Sequence, residues 1–130
     1  MIKGGLMHSI LIIEDDRLLG KALKNNFEDE GYKTFLAVGG DKGFEILKDE
    51  NMDLIFLDIM LPGMNGYDIL KKLKSESKYK TIPVIMLSNL GQINEINRAM
   101  ELGAVDYVVK ANIDLDELKE LTKKKLVYKK

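Results

Sequence analysis

The stretch Ser9-Ile10-Leu11-Ile12-Ile13-Glu14-Asp15-Asp16 decides how the rest of the chain is read. Its four consecutive aliphatic residues are too few for a buried helix and show no polar alternation, so they read as a strand covered on both faces. The runs at 54–57 and 84–87 repeat the pattern. Strands of that kind belong to parallel sheets. Working outward, strand-like runs are predicted at 9–13, 33–38, 54–57, 83–87 and 105–109.

The segments between them have helical period. Leu18, Leu19, Ala22, Leu23 and Phe27 share one face, and Gly31 stands where a left-handed C-cap would end that helix. Phe44, Ile46 and Leu47 mark a second helix, and Tyr67, Ile69, Leu70 and Leu73 a third. Ile93, Ile96, Ala99 and Met100 mark a fourth that closes near Gly103. For the fifth, Asp114 is placed to cap the amides ahead of Leu115, Leu118 and Leu121, with Glu117 at the capping-box position. Five strands alternating with five helices predict an α/β fold: a doubly wound five-stranded parallel sheet whose right-handed crossovers put helices on both faces.

Composition narrows the chemistry. The chain has 130 residues, 45% hydrophobic and 32% charged, enough for one compact domain. Twenty Lys plus Arg against 21 Asp plus Glu give a net charge of -1, which provides no global field toward nucleic acid or an anionic membrane. Apolar runs such as 10–13 fall far short of the ~20 residues needed to span a bilayer, and no signal-peptide core is present near the start. The absence of cysteine removes disulfides, thiol nucleophiles and thiolate metal sites, and fits a reducing compartment; a cytoplasmic location is the expectation. The lone His8 builds no histidine cluster. Metal chemistry in this chain therefore has to use oxygen ligands.

In an open α/β sheet, ligands bind beyond the carboxyl ends of the strands, where the winding direction switches. Those ends carry Glu14-Asp15-Asp16 after the first strand, Asp58 after the third, Ser88 after the fourth and Lys110 after the fifth. With strands one and three adjacent at the switch point, the acids share a crevice. Two carboxylates about 4 Å apart repel by ~4 kcal/mol at an effective dielectric near 20. A hard divalent cation relieves that repulsion, and Mg2+ favours one or two carboxylates, several waters and a phosphate oxygen. Lys110 adds a second positive charge opposite. The set suits phosphoryl transfer, which depends on positioning and charge neutralisation. Asp58 is then either a metal ligand or a nucleophile, and the Ser88 hydroxyl hydrogen-bonds a transferred oxygen. Asp16 by itself reads as a helix cap.

With these residues in place, the chain resembles the response-regulator receiver domains, the CheY-like phosphoacceptors of two-component signalling. The acidic pair of that family falls on Glu14 and Asp15, and its phosphoacceptor on Asp58. Leu61-Pro62-Gly63-Met64-Asn65-Gly66 fits the loop that follows, Pro83-Val84-Ile85-Met86-Leu87-Ser88 the fourth strand with its switch hydroxyl, and Gly103-Ala104-Val105-Asp106-Tyr107 the approach to Lys110.

The resemblance implies a flavodoxin-like three-layer sandwich with strand order 2-1-3-4-5; that order is a standard illustration of the switch-point rule and is carried over, not deduced. It covers 9–124 as receiver, leaving 1–8 as an N-terminal extension and 125–130 as a basic tail. It further implies Mg2+, with Mn2+ as a substitute, held by Glu14, Asp15, Asp58 and the backbone carbonyl of Met60. Asp58 takes a phosphoryl group from a phosphohistidine of a sensor histidine kinase or histidine phosphotransfer protein, with Ser88 and Lys110 matching the new charge. Tyr107 turns inward with Ser88. Output is then read by a downstream protein on the surface of the fourth helix, fifth strand and fifth helix, with Ile93, Ile96, Tyr107 and Leu118 as candidates. The domain acts as a monomer or a weak phosphorylation-dependent dimer and catalyses only its own phosphorylation and dephosphorylation. No membrane binding is expected. The lysines at 119, 123, 124, 125, 129 and 130 suit a helix C-terminus and come without an aromatic platform, so no direct nucleic-acid binding is expected.

Four positions depart from the family. Ala111 stands where most relatives have a proline in a cis peptide; without proline that geometry costs ~2.5 to 4 kcal/mol, so a trans bond and a rearranged loop are expected. Asn89 replaces a small residue after Ser88. Met60 and Leu90 are apolar where many relatives are polar, which predicts slow self-dephosphorylation because neither holds an attacking water. Two other readings compete: a receiver-like docking module that works without phosphorylation, and a Mg2+-dependent aspartyl phosphohydrolase. The second lacks the Asp-x-Asp pattern and cap domain of haloacid-dehalogenase-like phosphatases.

Overall fold

The structure is a computed structural model, and it describes residues 7–89 and 93–127. The elements run β1 (Ser9–Ile13), α1 (Arg17–Asp29), β2 (Lys33–Ala37), α2 (Gly40–Asp49), β3 (Leu54–Asp58), α3 (Gly66–Ser75), β4 (Val84–Ser88), α4 (Ile93–Glu101), β5 (Asp106–Val109), a 3-10 turn (Lys110–Asn112) and α5 (Leu115–Val127). All strand pairs are parallel and the order is β2-β1-β3-β4-β5. The winding direction switches between β1 and β3, whose carboxyl ends open the crevice.

Alternation along the strands divides the core in two. Leu11, Ile13, Ile55, Leu57, Val84 and Met86 face the side covered by α2, α3 and α4. Ile10, Ile12, Leu54, Phe56, Ile85 and Leu87 face the side of α1 and α5, where Phe27 stacks on Phe56 at 5.1 Å between ring centroids. Both faces are covered, as the unbroken apolar runs require. Asp16 caps α1 by accepting from the Leu18 and Leu19 amides, and Gly31 (φ 93) follows its end in the left-handed region. Asp114 accepts from the Asp116 and Glu117 amides at the start of α5.

Several boundaries and faces differ from expectation. β2 stops at Ala37, not Val38, because its partner β1 ends at Ile13, which pairs with Ala37. Pro83 lies outside β4: its carbonyl accepts from Ile55, but it has no N–H to donate. Val105 lies just before β5. Asp58 and Ser88 are the last residues of β3 and β4 and do not follow them; Asp58 pairs in register with Leu87, and Ser88 with Val109. Leu18 and Leu115, read as core-facing, are exposed at the first turns of their helices. Conversely, Ile96 and Leu118, read as output-surface candidates, are buried, since each lies on the apolar face that its helix turns to the sheet. No helix among the described residues is long and apolar enough to cross a membrane.

Candidate functional site

The carboxyl ends of β1, β3, β4 and β5 converge on one acidic crevice. Glu14 leaves β1 with its amide still bonded to the Ala37 carbonyl at 2.9 Å, so its backbone is held at the end of the sheet. That side chain is fully buried. Its Oε2 accepts from the Asp16 amide at 2.9 Å. Asp58, 1% exposed, uses its two oxygens separately: Oδ1 accepts from the Met60 amide at 3.2 Å and Oδ2 from Lys110 Nζ at 2.8 Å. Lys110 opens the 3-10 turn after β5 and also stands 3.0 Å from Glu14 Oε1. Asp15 lies at the exposed mouth, yet Glu14, Asp15 and Asp58 each offer an oxygen within 4.8 Å of the others.

The charges of the crevice do not cancel one another. Three carboxylates against one ammonium leave an excess of two negative charges, the complement of one divalent cation. Burial pushes the Glu14 carboxyl up to about 7, with the Asp58 charge adding to it, while the Asp16 amide and Lys110 pull against this rise. For Lys110, burial pushes the ammonium down, but its contacts with Asp58 and Glu14 outweigh that and its pKa ends above the ordinary lysine value. Of the four buried side-chain atoms without a hydrogen-bond partner among the described residues, two lie at the crevice: Glu14 Oε1, which the ammonium approaches without hydrogen-bond alignment, and the Ser88 hydroxyl. A buried polar group without a partner is costly, and both belong to the crevice-lining set. The donor set is all oxygen, so the residues fit a hard cation.

The structure therefore brings Glu14, Asp15, Asp58 and Lys110 together, with Ser88 at the end of the adjacent strand. Met60 is 55% exposed beside them, its amide engaged by Asp58. Tyr107 lies apart on edge strand β5, opposite Met86 and 39% exposed, so its ring is turned to solvent. Leu90 is outside the described residues. No cis peptide occurs among the described residues, and the Lys110 to Ala111 bond leads into the 3-10 turn. Sequence reading missed how α3 is set against the site. A Cβ at Gly66 would overlap the Asp58 carbonyl oxygen, and the Gly66 amide donates to Ile59 O at 2.8 Å, so only glycine lets the helix start there. The adjacent Asn65, which caps α3 by accepting from the Asp68 amide, carried the visible part of that signal.

Known proteins are similar to this chain in sequence and fold. The response regulator receiver domain family matches residues 10–123. Sporulation initiation phosphotransferase F of Bacillus subtilis is 37% identical over 120 residues, covering 92% of this chain and 94% of that protein. The transcriptional regulatory protein CusR of Escherichia coli is 40% identical over 101 residues, 78% of this chain but 44% of CusR. The chain thus spans about half the length of the transcriptional regulators it matches. Among solved structures, a putative response regulator from Chloroflexus aurantiacus superposes with TM-score 0.88 at 29% identity, covering 94% of this chain and 99% of that one. A CheY-like receiver domain protein from Methanospirillum hungatei gives 0.87 at 27%, covering 95% and 97%. The family match over nearly the whole chain, joined to the 2-1-3-4-5 sheet and its acidic crevice, establishes that this chain belongs to the response-regulator receiver domains of two-component signalling.

Proposed function

We propose that Asp58 is the phosphoacceptor and that the crevice catalyses the domain's own phosphorylation and dephosphorylation and no other reaction. The observation that carries this is the placement of Asp58: a buried carboxylate ending a central strand, paired to Lys110 and clustered with Glu14 and Asp15. An oxygen of Asp58 attacks the phosphorus of a phosphohistidine. The O–P bond forms as the P–N bond breaks, and the bonding pair stays on the departing imidazole nitrogen. The donor is the phosphohistidine of a sensor kinase or a histidine phosphotransfer protein.

Glu14, Asp15, Asp58 and the Met60 carbonyl would hold Mg2+, or Mn2+ in its place, which when bound neutralises charge on the transferred oxygens. Lys110 lies 2.8 Å from Asp58 and supplies a mobile ammonium that can pass from carboxylate to phosphoryl oxygen. The unpartnered Ser88 hydroxyl gains an acceptor in the phosphorylated state. Tyr107 then exchanges its exposed position for an inward one, a two-rotamer change biased by that movement of Ser88. The exposed Ile93 and Tyr107 mark the α4, β5 and α5 face as the surface for a downstream protein. This chain has no direct nucleic-acid role in that scheme, since Lys119, Lys123 and Lys125 each stand against a carboxylate. Lifetime of the adduct is long because the exposed Met60 thioether orients no water.

Intact mass after incubation with Mg2+ and a small acyl phosphate tests the reading. One phosphoryl adduct is expected, absent from Asp58→Asn and shorter-lived in Met60→Gln. An adduct that persists in Asp58→Asn, or turnover of a free phosphomonoester without any adduct, would overturn it.

A further inference from the structure

Tyr67 occupies the first turn of α3, one residue beyond the glycine that lies against the Asp58 backbone. It is nearly buried, and its hydroxyl crosses to α4, donating to the Glu95 carbonyl at 3.0 Å. Arg98, one turn further along α4, sets its guanidinium 4.4 Å from the centroid of the Tyr67 ring. A single side chain thus engages two successive turns of α4 through two different interactions. Burial and the Glu95 charge push the phenol above its ordinary pKa against the opposing pull of Arg98, so the hydroxyl remains a donor at neutral pH.

Among the described residues, other anchorage of α4 is light. Ile96 and Ala99 are the buried residues assigned to it, while Ile93 is 61% exposed. At the other end of the connection, contact is firm: Gly66 donates to Ile59 O, and Ile59 donates to Leu87 O at 3.1 Å, one residue before Ser88. The backbone of the crevice and the flank of α4 are therefore joined through the first two residues of α3.

We propose that Tyr67 is a positioning residue that holds α4 in its resting place and links that place to the state of Asp58, by a route separate from Ser88 and Tyr107. The proposal rests on the reading of Asp58 as phosphoacceptor. Two α4 placements exist in equilibrium; the Tyr67 hydrogen bond and the Arg98 contact favour the resting one, and a change in the Asp58 to Met60 backbone weakens both through Gly66. Losing one hydrogen bond of ordinary net strength should raise the activated-like fraction about fivefold, equivalent to ~1 kcal/mol.

The test is backbone amide NMR on the full chain with Mg2+, with and without beryllofluoride as a phosphoryl mimic. In unmodified Tyr67→Phe, α4 amides should move along the line joining the free and beryllofluoride-bound positions of the parent chain. Arg98→Met should move them less in the same direction. A merely structural loss would instead scatter them off that line. α4 amides of both variants that stay at the free position, or leave the line, overturn the proposal. If beryllofluoride instead fails to shift the amides around Asp58 in the parent chain, the phosphoacceptor reading fails, and the proposal with it; the two failures are read from different residues.

Discussion

α3 and α4 cover the same side of the sheet and are almost equal in length, yet they are held very differently. α3 buries Gly66, Tyr67, Ile69, Leu70 and Leu73, starts against the Asp58 backbone, and sends Lys74 back to the carbonyls of Lys80 and Ile82 at 3.1 and 2.8 Å. α4 buries Ile96 and Ala99 and leaves Ile93 and Met100 in solvent. The contrast separates two requirements of a switch. Chemistry needs a rigid wall beside the reacting carboxylate, and output needs an element that can move for little free energy.

The sharpest way to break the comparison is truncation of the two helices. Leu73→Ala in α3 removes a fully buried side chain and should cost about 2 to 5 kcal/mol in urea unfolding, whereas Ile93→Ala in α4 should stay within about 0.5 kcal/mol. Equal losses would remove the distinction. Gly66→Ala should cost about 1 to 3 kcal/mol, since its Cβ meets backbone atoms of Asp58 and Ile59 that cannot rotate away. It should also slow phosphorylation of Asp58; a stable variant phosphorylated at the parent rate would show that the wall does not set the site.

A smaller effect concerns the crevice that α3 braces. The Glu14 carboxyl has a folded pKa of about 7 against 4.5 for the free group. Its proton therefore adds stability that is complete below the lower value and is lost as pH rises through the higher one. Metal-free protein should lose stability between about pH 4.5 and 7, and Glu14→Gln should flatten that slope. An unchanged slope would mean that another group dominates.

Much of this was legible in sequence. The aliphatic runs at 10–13, 54–57 and 84–87 disclosed strands covered on both sides, and the polar residue after each run disclosed the crevice. Helical period was less informative about direction. It placed Ile96 and Leu118 on a face, but whether that face meets sheet or solvent depends on how the crossovers dock, so both were assigned to the wrong side. Asp58 and Ser88 read as loop residues because a polar side chain ends an apolar run, while their backbones continue the ladder to Leu87 and Val109. The bridge from Tyr67 to Glu95 left no trace in sequence, since it joins a side chain to a carbonyl 28 residues away.

Amide hydrogen exchange, measured with and without phosphorylation of Asp58, addresses the contrast between the two helices most directly. Protection across Ile93–Glu101 should change on phosphorylation while protection across 68–75, the part of α3 beyond the two linking residues, stays as it was. Equal change in both helices, or change confined to α3, would contradict the account.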